Sequence, residues 1–446
     1  MKVIRKADAI ELVYARIAAQ CNGAFSGGIV IGLSGKVDTG VVKSAIRKME
    51  ARHPMLRSGL SPQGEIVERD LGEGQDGIYT VFKRIERKGD DHWKNVVDEI
   101  VTLPLEYNES PFMFVLINGE ESSELLLRGQ HLFGDAQSLV TLAHEFLETI
   151  GTPERNWEPR SEVVSFQAVL EKAIPFSVGR LVLIIFGWVF FILRAIMRRL
   201  GLFNVSRVPS MDKAHEENLA QASFDQPPPL AYSSLLLDQV DALKRIAKES
   251  GVGFNSLLSG AAMGAIADVA NDTTPLRTIG TITFDARLRI GSCIEPVIKP
   301  ADVGNYSSGF SISPTVQALS AQSAVENKVS SIWKTIYEVD ARSKGFTWLE
   351  MMSTTLPLAG LLDFFPIVDY ENGNSCVLAN WGRIPIVKKY GKHEIRFLKP
   401  FLNTNSSADP YISFMSTHLG MELMVSGTSR LFNDQIMEDL VRAVRS

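Results

Sequence analysis

Residues 181–193 read LVLIIFGWVFFIL, thirteen consecutive positions without a charge, closed by Arg180 on one side and by Arg194, Arg198 and Arg199 on the other. This run limits what the chain can fold into. A membrane-spanning helix needs about 20 apolar residues, so a crossing would reach back to Ala173 and bury Arg180, at about 2.5–3.5 kcal/mol. A buried core helix is the second option. Phe186, Trp188, Val189, Phe190 and Phe191 would cover all sides of such a helix and leave it no solvated face. The third is an element lying in or dipping into a membrane interface, with its arginines reaching back to the headgroups. We take the third as the expectation, with Phe186, Trp188, Phe190 and Phe191 as membrane contacts.

The run also divides the chain. Residues 1–172 form one half, 173–229 the hydrophobic insertion with its linker, and 230–446 the other half. The linker, RVPSMDKAHEENLAQASFDQPPPL (206–229), is polar and ends in three prolines, which suits an exposed connection. Both halves alternate strand and helix patterns. In the first, GGIVIGLSG reads as a strand, and VDTGVVKSAIRKMEARHP as a helix capped by Asp38, with Val41, Val42, Ala45, Ile46 and Met49 on one face. FMFVLIN and ELLLRGQ read as a hairpin, and Leu139, Leu142, Ala143, Phe146, Leu147 and Ile150 as the inner face of a helix. In the second half, LLLDQVDALKRIAKESGV reads as a helix ending at Gly251, with Asn255 as a cap for the next. RTIGTITF is a strand, YISFMSTH and MELMVSGT a hairpin, and NDQIMEDLVRAV a closing helix. The expected class is an α/β (α+β) sandwich in two lobes.

A net charge of −5 over 446 residues and a pI near 5.9 argue against general nucleic-acid binding, which usually shows as a basic face, while leaving room for a local basic patch. Cys21, Cys293 and Cys376 lie far apart with no metal-ligand spacing, which points to a reducing compartment and no metal site. The opening MKVIRKADAIELVYARIAAQ has no uncharged core or cleavage pattern, so the expected location is cytoplasmic, peripherally associated with a membrane.

The stretch GQHLFGDAQS (129–138) places His131 at the end of an apolar strand, four residues before Asp135. HxxxD is a weak signal by itself. Asp135 precedes a helix and would cap it through the amide of Gln137 or Ser138, and His131 reads equally as a strand-end histidine. A rigidly held imidazole with an ordinary pKa near 6.5 is nonetheless suited to accept a proton at neutral pH. The sequence holds no GxSxG, activated cysteine, metal-ligand set or phosphate loop. A nucleophile would then have to be the substrate, activated by a base, which suggests group transfer.

QHLFGDA (130–136) resembles the HHxxxDG signature of the condensation-domain and chloramphenicol-acetyltransferase-like superfamily. Further blocks resemble that family in the same order: GKVDTGVVKSAIRKMEARHPMLR (35–57), ESPFMFVLI (109–117), AKESGVGFNSLLSGAAMGAI (247–266), FDARLR (284–289), VGNYSSGF (303–310) and LANWGRIP (378–385). Polyketide-associated and alcohol acyltransferases look most similar. The resemblance implies two lobes with a tunnel between them and His131 midway, as general base. An acyl thioester, on coenzyme A or a carrier protein, would be a cosubstrate, with no bound cofactor. The acceptor would be a hydroxyl compound.

It implies further that Asp135 pairs with Arg287, which occupies the matching position in DARLR, in a structural role. Gln130 stands where the family has its first histidine, and Ala136, where it has glycine, would narrow the tunnel. Asn305 and Asn380 fall in loop blocks where an oxyanion donor or a turn brace is expected. A single crossing at 173–193 would separate the lobes and abolish the tunnel, whereas an interfacial dip would bring the tunnel mouth to lipid and favour a lipid-like acceptor. The alternatives are an amide-forming condensation enzyme on carrier-bound substrates and a catalytically silent relative acting as a scaffold.

Overall fold

A computed structural model describes residues 1–70, 77–160, 226–270, 301–312, 325–345, 376–405, 410–429 and 432–446. It also describes strands Pro275–Arg277, Gly280–Asp285 and Thr315–Gln317, with Arg287, Lys299 and isolated positions between 165 and 193. Most of linker 206–229, Cys293 and the side chains of Trp188, Phe190 and Phe191 lie outside the described residues.

Two six-stranded sheets organise the molecule. The first runs in the order Lys389–Tyr390, His393–Leu402, Ser26–Ser34, Ser122–Gln130, Phe112–Asn118, Val81–Glu86. The second runs Ser307–Ile312, Gly280–Asp285, Cys376–Arg383, Tyr411–Ser416, Met421–Ser426, Leu230–Leu235. Both expected hairpins form as antiparallel pairs, Phe114 opposite Leu127 in the first and Phe414 opposite Leu423 in the second.

The central strand Ser122–Gln130 is buried on both faces, which explains its unbroken apolar run. Leu125 and Leu127 join a core with helices Thr39–Arg52 and Ala136–Gly151, while Leu126 packs on the other side with Trp93, Val96 and Val97 of helix His92–Val101. Asp38 caps helix Thr39–Arg52 by accepting from the Val41 amide at 3.0 Å, and Val42, Ala45, Ile46 and Met49 are buried.

The strand His393–Leu402 comes from the second half of the sequence yet pairs with Ser26–Ser34 in the first sheet. Glycines make this possible. Gly28 and Gly32 face Phe401 and Phe397 across the pair, and a Cβ at either would lie 2.3–2.4 Å from those rings. The crossover strand thus ties the two lobes together covalently and through its aromatic side chains.

In the second half, helix Leu237–Glu249 ends before Gly251, whose φ of +69° needs a glycine. The next helix runs Phe254–Ala270, so Asn255 sits in its first turn and is not its cap. Asn433 caps the closing helix Asp434–Arg445 by accepting from the Ile436 amide.

Candidate active site

His131 follows strand Ser122–Gln130 directly, and its amide donates to the Phe25 carbonyl at 3.1 Å. Phe25 holds a φ of +61°, a left-handed conformation costly for a bulky side chain. That conformation is fixed by two bonds, the one from His131 and one from the Phe25 amide to the carbonyl of Asn403 at the end of the crossover strand. The strained residue therefore links the histidine to the junction between the lobes.

Aromatic rings set the imidazole. Tyr14, on helix Ala9–Gln20, stacks on it with centroids 4.9 Å apart and planes 4° from parallel. Phe25 stands edge-on to Tyr14 at 5.1 Å and to His131 at 6.3 Å. Among the described residues the buried Nδ1 has no hydrogen-bond partner. Burial lowers the pKa of His131 below the usual 6.5, opposed by the Asp135 charge and by the residue's own carbonyl. The ring is therefore neutral at pH 7, the state a general base needs.

Asp135 does not touch the imidazole. Its Oδ1 accepts from the Ser138 amide at 2.9 Å, capping helix Ala136–Gly151, and from Arg287 Nη2; its Oδ2 accepts from the Tyr306 amide at 2.9 Å. Arg287 also donates through Nε to Asp285 Oδ1 at 2.9 Å and through Nη1 to the Asp302 carbonyl at 2.6 Å, and lies over the Tyr306 ring. Ser138 Oγ adds contacts to Gly304 at 2.8 and 3.0 Å. Burial alone would raise the Asp135 pKa, but Arg287 and the two amides reverse this and hold the carboxyl below its usual value. The motif's aspartate thus locks the His131 segment of one lobe to the 285–306 segment of the other.

Of the remaining expected residues, the structure brings none to the imidazole. Asn305 Oδ1 accepts from the amide and hydroxyl of Ser307, and Asn380 Oδ1 from the Gly382 amide; both brace local turns. Ala136 opens its helix, half-buried against the first-lobe core. Gln130 is buried, and strand alternation puts it on the face of Leu126 and Arg128, toward helix His92–Val101. Sequence reading missed Tyr14 and Phe25. The D-A-I-E capping box at Asp8–Glu11 was the available sign of the helix that carries Tyr14.

The whole chain superposes on solved structures of one architecture. It matches the TRI3 trichothecene 15-O-acetyltransferase from Fusarium sporotrichioides at a TM-score of 0.71 and 12% identity, over 99% of this chain and 94% of that one. It matches polyketide synthase associated protein 5 from Mycobacterium tuberculosis at 0.64 and 15%, over 99% and 98%. The first condensation domain of the CDA synthetase matches at 0.65 and 14%, over 100% and 95%. The chain has the two-lobed condensation-domain and chloramphenicol-acetyltransferase-like fold. No family model matches it, and no curated protein does. Against the HHxxxDG pattern it keeps His131 and Asp135, and neither Gln130 nor Ala136, its two departures, bonds to the imidazole.

Proposed function

We propose that this protein is an O-acyltransferase that moves an acyl group from a thioester, on coenzyme A or a carrier protein, to a hydroxyl acceptor. The observation that carries this reading is the His131 ring, neutral, clamped by Tyr14 and Phe25, and set beside the Asp135–Arg287 lock between the lobes. His131 Nε2 takes the proton of the acceptor hydroxyl as its oxygen attacks the thioester carbonyl carbon. The tetrahedral intermediate collapses with cleavage of the C–S bond, and the imidazolium returns the proton to the departing thiolate, giving ester and free thiol. Asp135 and Arg287 hold the two halves of the site in register and take no part in proton transfer. The acetyltransferase and condensation domains that share the fold support acyl transfer, and the condensation domains also support an amine acceptor as the second reading.

The acceptor is lipid-like and the reaction takes place at a membrane surface in the cytoplasm. Support comes from the helical positions Val182, Ile185, Phe186, Val189, Ile192 and Leu193, which are 44–71% exposed and spaced along one helical face, with arginines before and after them in the sequence. Among the described residues, no helix is long and apolar enough to cross a membrane.

Thiol release from a panel of acyl-coenzyme A donors, with long-chain alcohols and amines as acceptors, tests the reaction. Alcohol-dependent release that disappears in His131→Ala is expected, and undiminished release in that variant overturns the proposal. Flotation with anionic vesicles tests the surface: deletion of residues 176–200 should abolish binding, and retained binding contradicts it.

A further inference from the structure

Two charged or amide side chains on the strand leading to His131 are buried without the partners such groups normally have. Arg128 is 4% exposed, and among the described residues no carboxylate pairs with it. Its Nη2 donates to the Leu103 carbonyl just beyond helix His92–Val101, while its Nε has no partner among the described residues. Burial lowers its pKa to about 10. The contrast with Arg287 is direct: that guanidinium is equally buried but held by Asp135 and Asp285. Gln130, two residues on and 1% exposed, presents an Nε2 that also has no partner among the described residues. Alternation puts both side chains on one face of the strand.

We propose that Arg128 and Gln130 form a binding site for a substrate carboxylate. Both open groups donate and neither accepts, so the complement is a hydrogen-bond acceptor. The guanidinium adds a positive charge that a buried site normally balances with an anion. One cation balances a carboxylate, whereas a phosphate monoester would bring close to two negative charges. Arg128 lies three extended residues before His131, roughly 10 Å along the strand and on its opposite face, so a substrate that reaches both passes around the strand's end. The carboxylate therefore belongs to the far end of a medium-length substrate whose other end reacts at the histidine, as an ω-hydroxy acid acceptor or a dicarboxylic acyl donor would provide. Which substrate supplies it rests on the acyl-transfer reading; the site itself does not.

The test is calorimetric titration of the full-length protein with ω-hydroxydecanoate against its methyl ester, and with the mono-coenzyme A thioester of sebacic acid against decanoyl-coenzyme A. The acid of the pair that carries the natural carboxylate should bind at least about ten-fold tighter than its neutral partner, the factor expected of a charged hydrogen bond. Arg128→Met should erase that difference without lowering the melting temperature, since it also removes an unpaired buried charge. Gln130→Leu should reduce the difference and serves if Arg128→Met does not fold. Equal or absent binding of acid and neutral forms by the wild type overturns the site, as does a preference that survives both substitutions. Failure of acyl transfer is seen separately, as a wild type that binds the acid selectively but releases no thiol.

Discussion

The buried pair between Asp135 and Arg287 should be worth more to this fold than any surface ion pair, and a double-mutant cycle measures it. Arg287→Met strands the Asp135 carboxylate inside the junction with the Ser138 amide and hydroxyl and the Tyr306 amide to hold it. Breaking a buried pair from one side costs about 3–5 kcal/mol, and the surviving amides place this variant toward the lower end. Asp135→Asn is milder. Its side-chain oxygen still caps Ser138, and Arg287 keeps Asp285 and the Asp302 carbonyl, so about 1–3 kcal/mol is expected. In the double variant Asp135 no longer leaves an orphaned charge, while Asp285 loses Arg287 just as in the single Arg287→Met variant, so the double variant should recover about 2 kcal/mol of the summed losses. Urea unfolding at pH 7, followed by far-UV circular dichroism and tryptophan fluorescence, gives all three values. Additivity within about 0.5 kcal/mol would refute the view that the pair acts as one unit.

Three other outcomes follow from the same geometry. Tyr14→Leu removes the stacked ring from His131, a contact worth about 0.5–1.5 kcal/mol, so kcat should fall up to about ten-fold with KM little changed; an unaltered kcat would show that the ring does not set the imidazole. Glu145 is buried, yet His53 and Arg52 hold its pKa down at about 2. Its stabilisation is therefore present above the unfolded value near 4.5 and lost as pH falls toward 2, about 3 kcal/mol in all. Burial lowers the pKa of His53, so its share acts in the same direction, present above 6.5 and lost on acidification. Glu145→Gln should flatten the acid limb of a plot of melting temperature against pH; an unchanged limb would contradict the assignment. Phe25→Gly relieves the left-handed strain but removes a ring of the clamp, so activity should fall while stability changes by less than for an ordinary buried Phe, about 3–5 kcal/mol. A full core-like loss would show the strain to be unimportant.

Local signals were the legible part of this fold. Asp38 and Asp135 cap the helices that their sequence positions suggest, and both hairpins form where alternating apolar runs flank a short polar turn. The local geometry of the short motif was legible too, because Asp135, Ser138 and the strand that ends at Gln130 are neighbours in the chain. What the chain brings together from a distance was not. The crossover strand His393–Leu402 pairs with Ser26–Ser34 through glycines whose reason is visible only when Phe397 and Phe401 lie on them. Tyr14 and Phe25 belong to the site through stacking and backbone strain, neither of which leaves a residue pattern. Asn305 and Asn380 illustrate the converse, polar residues in suggestive blocks that turn out to hold their own turns.

The measurement closest to the central claim is the pH dependence of kcat/KM for alcohol-dependent thiol release. Proton abstraction by a neutral His131 gives a rate that is flat at neutral pH and falls on acidification through one ionisation lying below 6.5, with that limb and the activity absent in His131→Ala. A profile without an acid limb, or one whose limb survives the loss of the imidazole, would contradict it.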